Sequence, residues 1–205
     1  MPALSLSGVV VQDPSRCRAG DLSLRDFMVY PIPLNGAHGD VQFGRGTFSV
    51  GGEFRLELFD LPESALRVPR ELLASEFHYV DDAPDSGVKM QAIERLGLYE
   101  GATRVGVIEL RKLPPFPESG EPYDFNGMYL FSDSPVVLRA FKWLSGEDAP
   151  AWEDASGEIL EWDLPGGWIP ARGEYDPSST DFRFLAGAGH GLQWVLVHDW
   201  CSGAN

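Results

Sequence analysis

A chain of 205 residues that is 43% apolar and 23% charged can fill one hydrophobic core, and a single domain over residues 1–205 is the expectation. Its 31 acidic and 16 basic side chains give a net charge of −15, which argues against nucleic acid as a direct ligand and against anionic membrane surfaces, since both need a cationic footprint. No apolar run reaches the roughly 18 residues of a membrane-spanning helix, and no basic stretch precedes the first apolar one, so a soluble cytoplasmic protein is expected.

In chain order, the N-terminal third reads as strands punctuated by glycine and proline: LSLSGVVV, DLSLRDFMVY and DVQFGRGTFSVGGEFRLELF. In the last of these, Phe54, Leu56 and Leu58 alternate with Glu53, Arg55 and Glu57, the period of a strand with one dry face. Gly51 and Gly52 just before it supply the positive φ of a hairpin turn.

The middle third mixes types. Pro69 opens PRELLASEFHYV at a first helical position, with Leu72, Leu73, Glu76 and Phe77 at helical spacing, while EFHYV also has strand composition. VKMQAIERLGL is a second candidate helix whose apolar positions match neither period. TRVGVIELRKL reads as a strand, and PPFPESGEPYDFNG, with its four prolines, as an exposed loop.

The strongest helix signals belong to SPVVLRAFKWLSG: Ser134 as cap, Pro135 in the first turn, Gly146 as terminator, and Val137, Phe141 and Leu144 on one face. FRFLAGAGHGLQWVLVHDW reads as a hairpin about the GAGHG turn. Leu192, Trp194, Leu196, His198 and Trp200 share one face and Val195 and Val197 the other, as in a strand covered on both sides. The sum is an α+β fold, a mostly antiparallel twisted sheet with two or three helices.

Catalytic signals are sparse. Cys17 and Cys201 form neither a disulfide framework nor a zinc spacing and read as reduced thiols. Arginine outnumbers lysine 13 to 3, a usage that fits a GC-rich bacterial genome. Among His190, His198, Asp199 and Cys201, the strand pattern sends His198 to an apolar face and Asp199 and Cys201 to the opposite one, leaving His190 to face solvent. GAGHG lacks the following helix of a phosphate loop, His38 and His78 stand alone, and EDAPAWEDASGE lacks the calcium-loop register. No catalytic residue, metal ligand or cofactor is assigned.

The charge is uneven. Residues 1–112 carry 12 bases and 16 acids, net −4, whereas residues 113–205 carry 4 bases and 15 acids, net −11. Between 145 and 181 there are 10 acids and one base, Arg172. This acidic, tryptophan-bearing segment is the candidate interface: Glu147, Asp148, Glu153, Asp154, Glu158, Glu161 and Asp163 around Trp152. Clustered like charges repel unless they meet a cationic partner, and an indole ringed by charge has the composition of a binding hot spot. The expected function is therefore a non-enzymatic acidic protein that covers a basic site on a partner protein, in the general character of a toxin-neutralising immunity protein. The alternatives are a nucleic-acid mimic that inhibits a DNA- or RNA-binding protein, and a hydrolase-type enzyme using carboxylates with His190. A bland reading also stands beside these: a solvated acidic face with Ile159 or Trp162 and Trp168 turned into the core.

Overall fold

The structure, a computed structural model, describes residues 4–12, 26–34, 41–49, 51–73, 79–81, 87–114, 116, 120–143, 157–179 and 181–197. Within them the chain is almost entirely strand: β1 (Leu4–Gln12), β2 (Phe27–Pro33), β3 (Gly44–Phe48), β4 (Glu53–Leu58), β5 (Tyr79–Asp81), β6 (Met90–Glu100) and β7 (Thr103–Arg111). Then follow β8 (Tyr123–Ser132), β9 (Val136–Trp143), β10 (Gly157–Leu164), β11 (Gly167–Asp176), β12 (Asp181–Ala186) and β13 (Gln193–Val197). The helical content among the described residues is the five-residue α1 (Pro69–Leu73) and a 3-10 turn over Glu63–Ala65. The expected α+β fold with several helices is thus wrong, and the protein is a β-barrel with an attached sheet. No helix of the described residues is long and apolar enough to cross a membrane.

The barrel closes because its pairings return to their start. β13 pairs β1, which pairs β4, then β3, β2 and β6, and β6 is linked through β8 and β7 back to β13. That makes eight strands with no free edge in the wall. β6, β7 and β8 meet at a corner where each pairs with the other two: β6 pairs β8 over Met90–Ile93 and β7 over Arg95–Glu100. From β8 a second sheet runs outward in the order β8, β11, β12, β10, β9, β5.

Each sheet region buries its own core. Phe27, Phe48, Phe54, Leu56, Leu98, Ile108 and Leu196 belong to the barrel's core, while Leu72 and Leu73 of α1 join Met128, Leu130, Leu138, Leu160 and Trp162 in the second. β8 serves both: Phe131 packs into the first core, and Met128 and Leu130 into the other. Each such fully buried side chain is worth about 1.5–3 kcal/mol, so the double use of β8 and β6 couples the two cores energetically.

Several elements match their sequence pattern. β4 alternates exposed and buried residues throughout, and it forms a hairpin with β3 in which Phe48 faces Phe54 and Gly51 and Gly52 have positive φ (115° and 86°). The LSLSGVVV and TRVGVIELRKL segments are β1 and β7. β13 lies between β1 and β7 with Val195 and Leu196 both buried, as a strand covered on two sides should be.

Others are corrected. SPVVLRAFKWLSG contains β9, with Val136, Leu138 and Ala140 buried and Val137 60% exposed, the opposite of the helical face expected for Val137. Ser134 donates its hydroxyl to Asp133 Oδ1 and caps nothing, and the eight-residue antiparallel register with β10 outweighs the local helix signals. Adjacent β-branched valines, stiff at χ1, also favour the strand. VKMQAIERLGL forms β6. Its pattern fits no period because residues 90–93 are buried on both faces and the β2 pairing then skips Glu94, a bulge that moves the barrel-facing positions from Ile93 to Leu96 and Leu98. The helix from Pro69 is described only to Leu73, and Tyr79–Asp81 is a strand. Tyr123–Gly127 of the expected proline-rich loop belongs to β8. Finally, β12 and β13 are no hairpin: β12 pairs β10 and β11, and β13 pairs β1 and β7.

Candidate binding surface

The acidic segment is split by the fold. Glu147, Asp148, Trp152, Glu153 and Asp154 lie outside the described residues, in the connection from β9 to β10. Glu158 is in β10, where the register sets it opposite Lys142 on one side and Phe182 on the other. Glu161 and Asp163 are exposed on β10, and Leu160, Trp162 and Leu164 between them are buried. Trp168 is buried as well and donates its indole N–H to the Phe59 carbonyl at 2.6 Å. The tryptophans at 162 and 168 are therefore core residues. β9 also supplies a base from outside residues 145–181: Arg139 stands opposite Glu161, and opposite charges in such a cross-strand position attract.

Among the described residues His190 has no catalytic dyad partner. Its backbone N–H donates to Asp124 Oδ2 at 2.5 Å, and its side chain is exposed. Asp124 itself is 7% exposed, and its Oδ1 lies 3.0 Å from Arg172 Nε, so the carboxylate is committed to an ion pair and a backbone amide. Arg172 Nη1 further donates to the Ala186 carbonyl at 3.2 Å. Together they tie the start of β8 and the middle of β11 to the crossover between β12 and β13. Among the described residues no group of three His, Cys, Asp or Glu side chains could hold a metal ion. Cys17, Cys201, His38, His78, His198 and Asp199 lie outside the described residues.

A cleft of about 460 Å³ is bounded by Ser7, Val9, Thr47, Ser49, Glu53 and Arg55 on the β1, β3 and β4 side of the barrel. Val9 there is 58% exposed. The cleft's hydroxyls and oppositely charged Glu53 and Arg55 show no buried reactive group.

A feature missed in the sequence lies on β8, β11 and β12, at one end of these strands of the second sheet. Tyr123 and Phe125 of β8, Tyr175 of β11, and Phe182 and Phe184 of β12 form one chain of rings that continues to Phe116. Centroid separations are 5.7 Å for Phe116 and Tyr123, 5.7 Å for Tyr123 and Tyr175, 4.8 Å for Tyr175 and Phe182, and 5.4 Å for Phe125 and Phe182. The rings share a face because Tyr175 is paired with both Tyr123 and Phe182, and Gly173 with Phe184. Phe125 joins them through a bulge: Asp124 pairs Glu174 and Asn126 pairs Gly173, leaving Phe125 as the extra residue. It can lie there only because position 173 is glycine, since a Cβ would come 2.5 Å from the Phe125 ring. The same alternation turns Asp124 to the barrel side.

The five strand-borne rings are half-buried, and Phe116 is 49% exposed. Carboxylates adjoin them along the chain, with Asp176 and Asp181 turned by strand alternation to the opposite face of the sheet. Asp176 pairs Asp181 where β11 turns into β12, and the exposed Glu121 leads into Tyr123. Asp176 Oδ1 accepts from the Ser178 hydroxyl at 2.6 Å and amide at 2.9 Å, and these bonds hold its carboxyl below the ordinary carboxylate range. The available signal in the sequence was YDF, EYD and DFRF, aromatic residues at strand spacing interleaved with acids.

Comparison of the chain with protein-family models, curated proteins and solved structures gave no match in any of the three.

Proposed function

We propose that the protein is a non-enzymatic acidic binding protein that covers a basic site on a partner protein, with the connection between β9 and β10 supplying the attracting charge. The observation that carries this reading is a juxtaposition. Trp143 and Gly157, the paired residues that flank the acidic connection, lie at the end of the second sheet that also bears the aromatic cluster, since Glu158 is registered beside Phe182. The two strand ends from which the acidic connection departs thus lie at the same end of the second sheet as the rings, and charge for steering beside rings for anchoring is the composition from which fast and durable protein contacts are built. Neutralisation of a basic toxin or effector is the biological setting that suits such a surface.

The test is kinetic. A partner captured from native lysate is immobilised, and association is measured at two salt concentrations for the parent chain and for a variant carrying Glu153→Gln, Asp154→Asn and Glu158→Gln. The variant should associate more slowly and with a flatter salt dependence, because screening acts over about 8 Å at physiological ionic strength. Trp152→Ala should instead speed dissociation, by about thirtyfold if the indole is a hot spot worth about 2 kcal/mol. An unchanged on-rate at low salt for the neutralised variant refutes the proposal.

A further inference from the structure

We infer that the cleft on the β1, β4 and β3 wall of the barrel is a binding site for a dipeptide zwitterion, with Glu53 receiving its ammonium and Arg55 its carboxylate. The inference goes beyond the proposed function and does not depend on it, since β1, β3 and β4 pair with no strand of the second sheet.

Register gathers the lining on one face. Ser7 of β1 and Thr47 of β3 flank Arg55 as its cross-strand partners, and Val9 stands beside Glu53. Ser49, just beyond β3, approaches Glu53 from the other side, its amide donating to the Glu53 carbonyl at 2.8 Å. Strand alternation turns Phe54 and Leu56 into the barrel core and leaves Glu53 and Arg55 exposed on the outer side. The floor is backbone of strands paired on both edges. The hairpin tip is pinned to β1 by the Val10 amide, which donates to the Gly52 carbonyl at 2.8 Å. The site is thus formed before a ligand arrives, which lowers the cost of binding.

Its charges are not used within the chain. Among the described residues neither Glu53 nor Arg55 makes an ion pair, although they carry opposite charge two positions apart on one strand face. That charge pattern excludes several ligands. A bare divalent cation would meet a single carboxylate beside a guanidinium, and a polyphosphate would be repelled by Glu53 and Glu57 on either side of Arg55. The buried Phe54 packs against Trp194 inside the barrel, so a nucleobase has no ring in the cleft to stack on. A neutral polyol would leave both charges unmatched.

Spacing then selects the length. Cα atoms two positions apart on a strand are separated by about 6.6 Å. An extended dipeptide spans at most about 7 Å, a single amino acid about half of that, and a tripeptide overshoots. With its termini on Glu53 and Arg55, the peptide unit lies among the hydroxyls of Ser7, Thr47 and Ser49, which can both donate and accept. Val9, 58% exposed, offers apolar contact to a ligand side chain, and a volume of about 460 Å³ is within the range of small-molecule sites.

The experiment titrates the full chain, isotopically labelled, with four probes: the dipeptide Ala-Ala, its N-acetyl form, its C-terminal amide, and free alanine. Ala-Ala should shift the amide resonances of residues 7–9, 47–49 and 53–55, with a Kd of about 1 mM or tighter. Each blocked form lacks one terminal charge and should bind about fivefold more weakly, as should alanine, which cannot reach both side chains. Glu53→Gln should weaken Ala-Ala about fivefold and abolish the preference for it over the acetyl form, while Arg55→Gln should do the same for the amide. Both side chains are exposed, so the melting temperature should hardly change.

The inference is overturned if no shifts appear up to 10 mM Ala-Ala or if they map elsewhere, since the cleft is then a surface groove only. It is overturned equally if the blocked forms or alanine bind as tightly as Ala-Ala, or if both glutamine variants bind all four probes like the parent. The blocked probes test the same two charges on the unaltered chain, so a variant that fails to fold does not decide the outcome. A partner whose on-rate depends on the acidic connection bears on the proposed function alone, and the two readings stand or fall separately.

Discussion

Replacing Asp124 by alanine probes the joint that holds the barrel to the second sheet. The carboxylate is 7% exposed and makes two contacts, Oδ1 with Arg172 Nε at 3.0 Å and Oδ2 with the His190 amide at 2.5 Å. Removing one partner of a buried ion pair costs about 3–5 kcal/mol, chiefly because the other charge is stranded. Arg172 retains 22% side-chain exposure and its bond to the Ala186 carbonyl, so water can partly solvate it and that cost falls toward the lower end. The orphaned His190 amide adds a desolvation penalty of about 1–3 kcal/mol, which overlaps with the first because both groups relax together. A loss of about 3 kcal/mol is expected. Urea denaturation measures it as a lower midpoint at unchanged slope, and hydrogen exchange should show the His190 amide losing protection. Asp124→Asn keeps an acceptor for that amide and loses only the charge, so it should fall between the parent and alanine. A loss under about 1 kcal/mol for alanine, with His190 still protected, would refute the assignment of this carboxylate as the joint.

Trp194→Ala should cost about 3–5 kcal/mol, since the indole packs edge-on to Phe54 at 5.0 Å and stacks parallel to Tyr129 at 6.3 Å, and Gly8 leaves room for it; thermal denaturation at the parent's temperature contradicts this. Burial raises the Tyr129 hydroxyl above its ordinary value of 10.0. The folded state therefore holds this proton more tightly than the unfolded chain. The stability it contributes is fully present below the unfolded value and is lost as pH rises through the raised folded one. Tyr129→Phe should accordingly flatten the fall in urea midpoint above about pH 10, and identical alkaline profiles would count against it.

Local chemistry alone was enough for the β3 to β4 hairpin. Gly51 and Gly52 provide positive φ, and the strict alternation from Glu53 to Leu58 has a single solution with one wet face. The same holds for β1 and β7, and for the inward tryptophans at 162 and 168, which a bland reading of the acidic stretch allowed.

Where a strand is buried on both faces or bulged, as in β6, the periodic signal vanishes, and only the pairing with β2, β7 and β8 shows what the residues are. In β9, Ser134, Pro135 and Gly146 spell a helix, yet eight registered positions against β10 overrule them, because cross-strand pairing is a long-range term that no local window contains. The missing hairpin between β12 and β13 has the same cause. The crossover from Gly187 onward carries the chain from the second sheet into the barrel wall, where closure needs β13 between β1 and β7. The aromatic cluster was least legible of all. Tyr123, Phe125, Tyr175, Phe182 and Phe184 come from three strands up to 61 positions apart in the sequence, and a bulge opposite Gly173 brings Phe125 onto their common face. The sequence set each residue's chemistry and period, whereas which rings meet was decided by sheet register, a property of pairs of strands and not of any one of them.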